Sequence, residues 1–257
     1  MGITYQQTDG VGVFTIENGR LNVLTMEMHE QLYRAYLKFL HDDSVKVGVI
    51  VGAGDNFCAG DDLKESDTPI RSRENPRWDE LIMTSRRTKP IIAAVNGWCL
   101  GQGMVYLTLL SDIRIAGKGA RFGVPEIAYG MGGFGGATRL GLQLAPVHAA
   151  YLALTGEKVD ANYAKEINLV NEVVEDDQTL ERAMTIARTI ASHSLLAIQT
   201  EIEGLHKGTE MSRQDALSYA QGQYMTQRKL YRAQFGEAVD VMKEKTSGNG
   251  SQNKESK

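Results

Sequence analysis

The sequence predicts an α/β fold with a helical C-terminal region, and two observations support this. Between residues 11 and 116, short apolar segments typical of strands alternate with amphipathic segments typical of helices, an order that indicates an α/β core. From Gly133 onward the predicted segments are mostly helical. The composition is that of a globular protein, with 42% hydrophobic and 23% charged residues among 257. A chain of this length needs no metal or disulfide to support its core.

The predicted strands are short runs, either continuously apolar or alternating, that end in turn residues such as Asn18-Gly19. They cover residues 11–17, 45–51, 90–95 and 112–116, with a further short strand at 169–174. Residues 66–77 are polar and contain two prolines and three arginines, which indicates a surface loop.

The first predicted helix begins near Met26, where Thr25 can act as the N-cap, and apolar residues then recur every three or four positions. Further helices are predicted at 78–87, 140–155, 162–167, 180–193, 195–205 and 212–235, with 245 as the outer limit of the last. Residues 104–111 are apolar on nearly all sides and form either a buried helix or a buried strand. We therefore expect a core over 1–195, a helical region over 196–245 and a disordered tail over 246–257.

Charge and cysteine content exclude several classes of protein. The formal net charge of −4 argues against binding to a nucleic-acid backbone. No apolar run is long enough for a membrane span, and the N-terminus lacks the features of a signal peptide. Cys58 and Cys99 lie alone, without a C-x-x-C motif or a metal-binding pattern, which favours a reducing compartment. We expect a cytoplasmic protein.

Common catalytic motifs such as G-x-S-x-G, H-E-x-x-H and the Walker A loop are absent from the sequence, and the five histidines are scattered. Each histidine is interpreted as a solvated or core-edge residue. A G-x-G-x-x-G pattern at Gly130, Gly132 and Gly135 follows no clean strand, so it does not favour dinucleotide binding.

Two glycine-rich stretches, residues 59–62 (AGDD) and 101–103 (GQG), each precede a predicted helix start. Helix N-termini present free backbone N–H groups, and two such donors aimed at one point would bind a developing oxyanion. The sequence does not show whether the two stretches converge, and ordinary tight turns are the alternative interpretation.

Residues 57–65 (FCAGDDLKE) resemble the F-x-A-G-x-D-L-x-E signature of the crotonase (enoyl-CoA hydratase/isomerase) superfamily. Residues 90–97 (PIIAAVNG), 112–116 (DIRIA) and 122–127 (FGVPEI) are similar to further signatures of that family, in the expected order. The resemblance covers roughly residues 3–235. It implies a spiral of ββα repeats with a helical C-terminal oligomerisation region, and a homotrimer or a dimer of trimers. It also implies an acyl-CoA thioester substrate, with coenzyme A as part of the substrate and no other cofactor.

The resemblance also implies which residues form the site. The backbone N–H of Asp61 and that of Gln102 or Gly103 would stabilise a thioester enolate, and Glu126 would act as the acid or base. Substrate and coenzyme A contacts would come from Ala59, Asp61, Leu63, Lys64, Tyr106, Met131, Gly132 and Phe134. The cations Lys64, Arg71, Arg73 and Arg77 could pair with the phosphates of coenzyme A, although a solvated loop explains them equally well.

The first of the two glutamates that hydratases of this family carry is missing. Val105 stands at its position when residues are counted from Asn96, and Tyr106 when they are counted back from Asp112. One carboxylate is enough to move a proton between two carbons, so the pattern favours double-bond isomerisation over hydration. The Asp61 side chain is a candidate second acid, although a carboxylate beside an enolate would repel it.

Two classes of function remain open. One is an acyl-CoA enzyme that acts through an enolate, either an isomerase, a hydratase or another crotonase-type enzyme. The other is a non-catalytic acyl-CoA binding subunit that kept the fold, which the missing glutamate would explain. Retention of Glu126 and of both glycine stretches favours the enzyme.

Overall fold

A computed structural model describes residues 1–65, 78–132 and 136–235, with residues 136–139 and 234–235 described by their backbone alone. The strands in these ranges are short and lie mostly in the first half of the chain. In chain order they are Gly2–Thr8 (β1), Val11–Glu17 (β2), Val47–Gly52 (β3), Ile91–Val95 (β4), Trp98–Leu100 (β5), Ile113–Gly117 (β6), Arg121–Gly123 (β7), Val159–Asp160 (β8) and Glu172–Val174 (β9).

The helices alternate with these strands at first and then follow one another. They are Met26–His41 (α1), Trp78–Thr84 (α2), Gln102–Leu110 (α3), Gly136–Gln143 (α4), Pro146–Thr155 (α5), Ala161–Glu166 (α6), Thr179–Ala191 (α7), Leu195–Gly208 (α8) and Arg213–Phe235 (α9). Within the described ranges, three short 3₁₀ turns lie at Leu63–Glu65, Pro125–Tyr129 and Asp176–Gln178.

The strands form two sheets. The larger has the order β1-β2-β3-β4-β6-β9, in which β1 is antiparallel to β2 and the other neighbouring pairs are parallel. The smaller has the order β5-β7-β8. This arrangement confirms the predicted α/β class with helices between parallel strands.

The central strands β3 and β4 of the larger sheet are buried on both faces, because their neighbouring residues belong to different cores. Val49 and Ile92 pack with Ala187 of α7 in one core. Ile50 and Ile91, the adjacent residues, pack in the other core with α1 and α3. Side chains of a strand alternate between faces, so continuous apolar runs such as IIAAV serve both cores at once.

Several sequence predictions differ from the structure in identifiable ways. The predicted helix over 140–155 is two helices, since Pro146 begins a new one at its first position. The strands β1, β5, β7 and β8 were not predicted, because β1 is polar and the other three are only two or three residues long. Residues 104–110 lie in the helix α3, with Ser111 as its C-cap, and Thr25 caps α1 by accepting a hydrogen bond from the Met28 N–H. The predicted loop at 66–77, the extension to 245 and the predicted disordered tail lie outside the described residues.

The chain divides into two compact units, Met1–Ile198 and a second unit that begins at Gln199. In the second unit, the Tyr219 hydroxyl donates a hydrogen bond to Glu203, which links α9 to α8. None of the helices in the described ranges has the length and apolarity that crossing a membrane requires.

Candidate active site

The first glycine-rich stretch is hydrogen-bonded to a different segment of the chain on each of its two sides. On one side, the Cys58 N–H donates to the Trp98 carbonyl at 2.9 Å and the Leu100 N–H donates to the Cys58 carbonyl at 2.9 Å, so the stretch lies beside β5. On the other side, the Leu24 N–H donates to the Gly60 carbonyl at 2.9 Å. Because a trans peptide is planar and its C=O and N–H point in opposite directions, the Asp61 N–H points away from Leu24. It therefore faces the side on which β5 and α3 lie.

The second stretch forms the N-terminus of α3. Gly101 is the N-cap, with φ +53°, and Gln102 is the first helical residue. The first N–H groups of a helix have no acceptor within the helix and carry the positive end of its dipole. Gly101 adopts a left-handed φ that glycine accepts without strain, which allows the chain to turn from β5 directly into α3.

The two stretches meet. A Cβ added to Gly60 would lie 3.6 Å from the Gln102 nitrogen, and a Cβ added to Gly101 would lie 3.7 Å from the Gly60 Cα. A Cβ at Gly103 would lie 2.4 Å from the Cys58 carbonyl oxygen, so there is no space for a side chain at residue 103. The Gln102 amide is thus the α3 amide that lies beside the Gly60–Asp61 turn.

Glu126 reaches the same point from a third element. Pro125 begins the 3₁₀ turn Pro125–Tyr129, and Gly130 ends it in the left-handed conformation, as the sequence predicts. A Cβ added to Gly101 would lie 3.3 Å from Oε1 of Glu126. The other carboxylate oxygen, Oε2, is buried and has no hydrogen-bond partner among the described residues. An unpartnered buried carboxylate oxygen is costly, and such groups concentrate where a ligand or a proton is to be bound.

Both candidates for the position of the missing glutamate are buried, with Val105 3% and Tyr106 1% exposed. The Tyr106 hydroxyl lies 2.6 Å from Nδ1 of His29, and Nε2 of His29 lies 3.1 Å from Oδ1 of Asp61. His29 is 1% exposed, whereas the Asp61 side chain is 39% exposed. Tyr106 is therefore linked through His29 to the first glycine-rich stretch.

The sequence interpretation of His29 as an ordinary solvated or core-edge residue missed this link. A signal was present, because His29, Leu32 and Tyr36 recur at helical spacing and all three lie on the buried face of α1. A histidine on an apolar stripe needs buried partners for its ring nitrogens. Nothing in the spacing of residues 29, 61 and 106 could have identified those partners.

The electrostatic surroundings keep Tyr106 neutral. Burial raises the pKa of its hydroxyl well above the usual value, and the negative charge of the buried Asp79 raises this pKa further. The hydroxyl is consequently a hydrogen-bond donor at physiological pH.

Burial likewise raises the pKa of the Cys58 thiol to about 12 and that of Cys99 well above its usual value. Neither thiol is a candidate nucleophile.

The remaining predicted contact residues lie at the surface. Leu63 and Lys64 stand on the exposed 3₁₀ turn after Asp62, with Leu63 79% exposed, while Ala59 is partly buried. Met131 is 64% exposed and Gly132 is also exposed. Phe134, Arg71, Arg73 and Arg77 lie outside the described residues. Among the residues that the structure covers, no cluster of histidine, cysteine and acidic side chains is suited to a metal ion.

Comparison with known proteins gives a consistent result. The family model for enoyl-CoA hydratase/isomerase matches residues 6–250. The chain is 37% identical to the 2,3-dehydroadipyl-CoA hydratase of Escherichia coli (strain K12), covering 78% of this chain and 78% of that protein. It is 36% identical to the mevalonyl-coenzyme A hydratase of Aspergillus fumigatus, covering 77% and 75%.

Solved structures agree. The crystal structure of an enoyl-CoA hydratase/isomerase from Mycobacterium paratuberculosis superimposes with a TM-score of 0.84 at 29% sequence identity, covering 95% of this chain and 96% of that one. The resemblance found in residues 57–65 and 90–127 therefore reflects common ancestry along most of the chain, and the fold is the crotonase fold. The chain belongs to the enoyl-CoA hydratase/isomerase family, the crotonase superfamily of acyl-CoA enzymes.

Proposed function

We propose that this enzyme transforms an acyl-CoA thioester through an enolate, with Glu126 as the acid–base group and the N–H groups of Asp61 and Gln102 as the oxyanion donors. The observation that carries the proposal is the meeting of Gly60, the Gln102 nitrogen and the Glu126 carboxylate at one point. The proton next to a thioester carbonyl is weakly acidic, so its removal needs stabilisation of the oxygen that becomes negative. One well-placed oxyanion donor contributes about 3–4 kcal/mol to this stabilisation.

Double-bond isomerisation is the reaction that Glu126 can carry out without a second acid or base. The carboxylate takes a proton from C2 of a 3-enoyl thioester, and the negative charge passes to the carbonyl oxygen. The protonated Glu126 then returns the proton to C4, which leaves a 2-enoyl thioester. The same group donates and accepts the proton, so the absence of a glutamate at residues 105 and 106 is no obstacle.

Hydration of a 2-enoyl thioester is the second candidate. The relatives at 36–37% identity carry the word hydratase in their names. Hydration needs a group that activates water as well as a group that protonates C2. Neither Val105 nor Tyr106 is a carboxylate, so this candidate requires an acid from elsewhere in the fold.

A non-catalytic acyl-CoA binding subunit is the alternative to an enzyme within this fold. Such a subunit would bind acyl-CoA thioesters without exchanging the proton at C2. The buried Glu126 oxygen, which has no hydrogen-bond partner in the part of the chain that the structure describes, argues against it, because pure binding gives no reason to tolerate the cost of that group. A homotrimer or a dimer of trimers in the cytoplasm remains our expectation, and sedimentation analysis of the full chain would test the oligomeric part.

The decisive experiment measures deuterium uptake at C2 of saturated acyl-CoA thioesters in deuterium oxide, beside turnover of 3-enoyl and 2-enoyl thioesters. We expect the natural enzyme to exchange the C2 proton of at least one chain length. Glu126→Gln should reduce exchange and isomerisation by about 10²–10⁴-fold. Glu166→Gln, the same change at an exposed position of α6, is the matched control and should behave like the natural enzyme. Exchange by Glu126→Gln at the natural rate would refute the assignment.

A further inference from the structure

A chain of three polar side chains connects the buried interior to the first glycine-rich stretch. Tyr106 of α3 contacts His29 of α1, and His29 contacts Asp61, so three separate segments contribute one residue each. The two inner members are each 1% exposed, and Asp61 alone is accessible, with 39% of its side chain exposed. Of these three hydrogen-bonded side chains, only that of Asp61 is therefore accessible to solvent. The main-chain amide of the same residue belongs to the candidate oxyanion site.

The hydrogen-bonding capacities fix the direction of this chain. The Tyr106 hydroxyl stays protonated, so it donates to Nδ1 of His29. A neutral imidazole that accepts at Nδ1 carries its proton on Nε2 and donates from there. Nε2 of His29 then donates to Oδ1 of Asp61, which is the acceptor that an ionised carboxylate provides. Every member is satisfied with Asp61 negatively charged, which favours a fixed orientation of that carboxylate.

We propose that Asp61 supplies the second acid–base group of this enzyme, with His29 and Tyr106 as positioning residues. The inference rests on the enolate chemistry proposed above and extends it to the activation of water. Asp61 follows Gly60 directly, and Gly60 contacts the turn that carries Gln102 and adjoins Glu126. A carboxylate at residue 61 thus belongs to the same site as Glu126, although it comes from a different segment of the chain.

The step balances with the two carboxyl groups and one water molecule. The Asp61 carboxylate takes a proton from water as the water oxygen bonds to C3 of a 2-enoyl thioester. The C2–C3 π electrons move towards the carbonyl, whose oxygen becomes negative beside the two main-chain N–H groups. Protonated Glu126 then gives its proton to C2, which yields the 3-hydroxyacyl thioester. Asp61 ends protonated and Glu126 ionised, and exchange with solvent restores both.

The repulsion expected between Asp61 and an enolate is reduced by this arrangement. The carboxylate accepts a charge-assisted hydrogen bond from His29, which draws it towards α1. During the addition of water it gains a proton, so it is neutral when the enolate oxygen carries its charge. An uncharged Asp61 does not oppose the oxyanion that its own main-chain N–H stabilises.

The test separates hydration from proton exchange in the same preparations. Hydration is measured as loss of absorbance of short-, medium- and long-chain 2-enoyl-CoA thioesters, and exchange as deuterium uptake at C2 of saturated acyl-CoA. Asp61→Asn should lower the kcat of hydration by about 100-fold or more, and by a much larger factor than it lowers the exchange rate, since Glu126 and the main-chain N–H groups remain. Asp55→Asn, which removes an exposed carboxylate nearby, is the matched control for charge and should change neither rate.

The positioning residues are tested by a pair of substitutions at His29. His29→Leu removes both hydrogen bonds and should lower the kcat of hydration with little change in KM. His29→Gln keeps an amide donor for Asp61 and should therefore retain a substantial part of the kcat that His29→Leu loses. Thermal melting of each variant shows whether the fold survives, and Tyr106→Phe, which removes only the hydroxyl, provides a milder variant with a smaller loss of the same kind.

Three results would overturn the inference. One is hydration by Asp61→Asn at the natural rate. Another is an equal loss of hydration and exchange in folded Asp61→Asn, because Asp61 would then only hold the main chain in place. The third is natural enzyme that exchanges the C2 proton but hydrates no 2-enoyl thioester. If the natural enzyme exchanges no C2 proton at all, the enolate chemistry itself fails, and the two failures are thereby distinguished.

Discussion

Glu126 lies directly against Gly101, with its Oε1 atom 3.3 Å from the position that a Cβ of residue 101 would occupy. The same glycine caps the N-terminus of α3 with φ +53°. Gly101 thus allows the chain to turn into α3 and keeps the space in which the carboxylate lies.

Gly101→Ala should therefore damage the site more than the fold. The added methyl group would force Glu126 to shift by a few tenths of an ångström, and an alanine at positive φ is strained by about 1–2 kcal/mol. We expect kcat/KM for C2 proton exchange to fall by at least tenfold with a modest decrease in melting temperature. Small displacements of a catalytic group commonly have effects of this size.

Gly141→Ala is the matched control, since a Cβ at this exposed position of α4 meets no atom within 4 Å. Alanine is favoured over glycine inside a helix, so this variant should be as stable as the natural enzyme or more stable by about 0.5–1 kcal/mol. Undiminished exchange by Gly101→Ala would show that the contact between Gly101 and Glu126 does not matter for activity.

The sequence predicted the elements whose signals are local. The start of α1 at Met26 follows from the Thr25 cap and the apolar spacing, and the turn that carries Glu126 follows from Pro125 and Gly130. The strand β1 was not predicted, because its polar sequence GITYQQT is held by antiparallel pairing with β2 and not by its own apolar pattern.

The residues of the candidate site also divide into those with a local sequence signal and those that only the fold brings together. The glycine stretches and Glu126 carry recognisable motifs, so they were identified before any geometry was known. The contacts among His29, Asp61 and Tyr106 join residues 32 and 77 positions apart, and no motif encodes them. Which distant segments meet depends on the packing of the whole core. Many residues determine that packing together, and no single motif does.

Lys89 and Lys46 each donate hydrogen bonds to carbonyls at the C-terminus of a helix, and the two side chains differ in burial. The Lys89 ammonium, 0% exposed, donates to the Phe39 carbonyl at 2.9 Å and the Asp42 carbonyl at 2.7 Å at the end of α1. The Lys46 ammonium, which is more accessible, donates to the Ala191 and His193 carbonyls, both at 2.8 Å, after the end of α7. Each satisfies carbonyl groups that a helix leaves without partners.

Lys89→Met should cost about 3 kcal/mol of unfolding free energy and Lys46→Met about 1 kcal/mol. At Lys89 the carbonyls left without a donor are cut off from water, whereas at the more accessible Lys46 water replaces much of the loss. Urea denaturation followed by circular dichroism measures both. An equal decrease in unfolding free energy for the two substitutions would show that burial does not determine how much these hydrogen bonds contribute to stability.

Alkylation should reveal how completely the two thiols are enclosed. Cys58 and Cys99 are each 0% exposed, and burial holds their pKa values above the usual range, at about 12 for Cys58. Thiolate is the reactive form, so at pH 8 we expect iodoacetamide to label neither residue in the native enzyme and both in denaturant. Mass spectrometry of digested samples locates the label. Rapid native labelling of either residue would contradict the burial.

The buried hydroxyl of Tyr36 provides a pH-dependent prediction. This side chain is 2% exposed, and its oxygen has no hydrogen-bond partner among the described residues. Burial raises its pKa from 10.0 to about 12. Between those two pH values the unfolded chain loses the phenolic proton while the folded protein keeps it, so stability is fully present below pH 10 and falls as pH rises through this window.

Tyr36→Phe removes this titration together with the unpartnered oxygen. At pH 7 we expect the variant to be as stable as the natural enzyme or slightly more stable, because a buried polar group without a partner is lost. Above pH 10 the natural enzyme should lose stability relative to the variant, approaching about 2–3 kcal/mol at the upper end of the window. Urea titrations of both proteins at pH 7 and at steps above pH 9 measure the difference, in which the titration of all other shared groups cancels. A variant that loses stability in parallel with the natural enzyme across this range would show that Tyr36 ionises as readily in the folded state as in the unfolded chain.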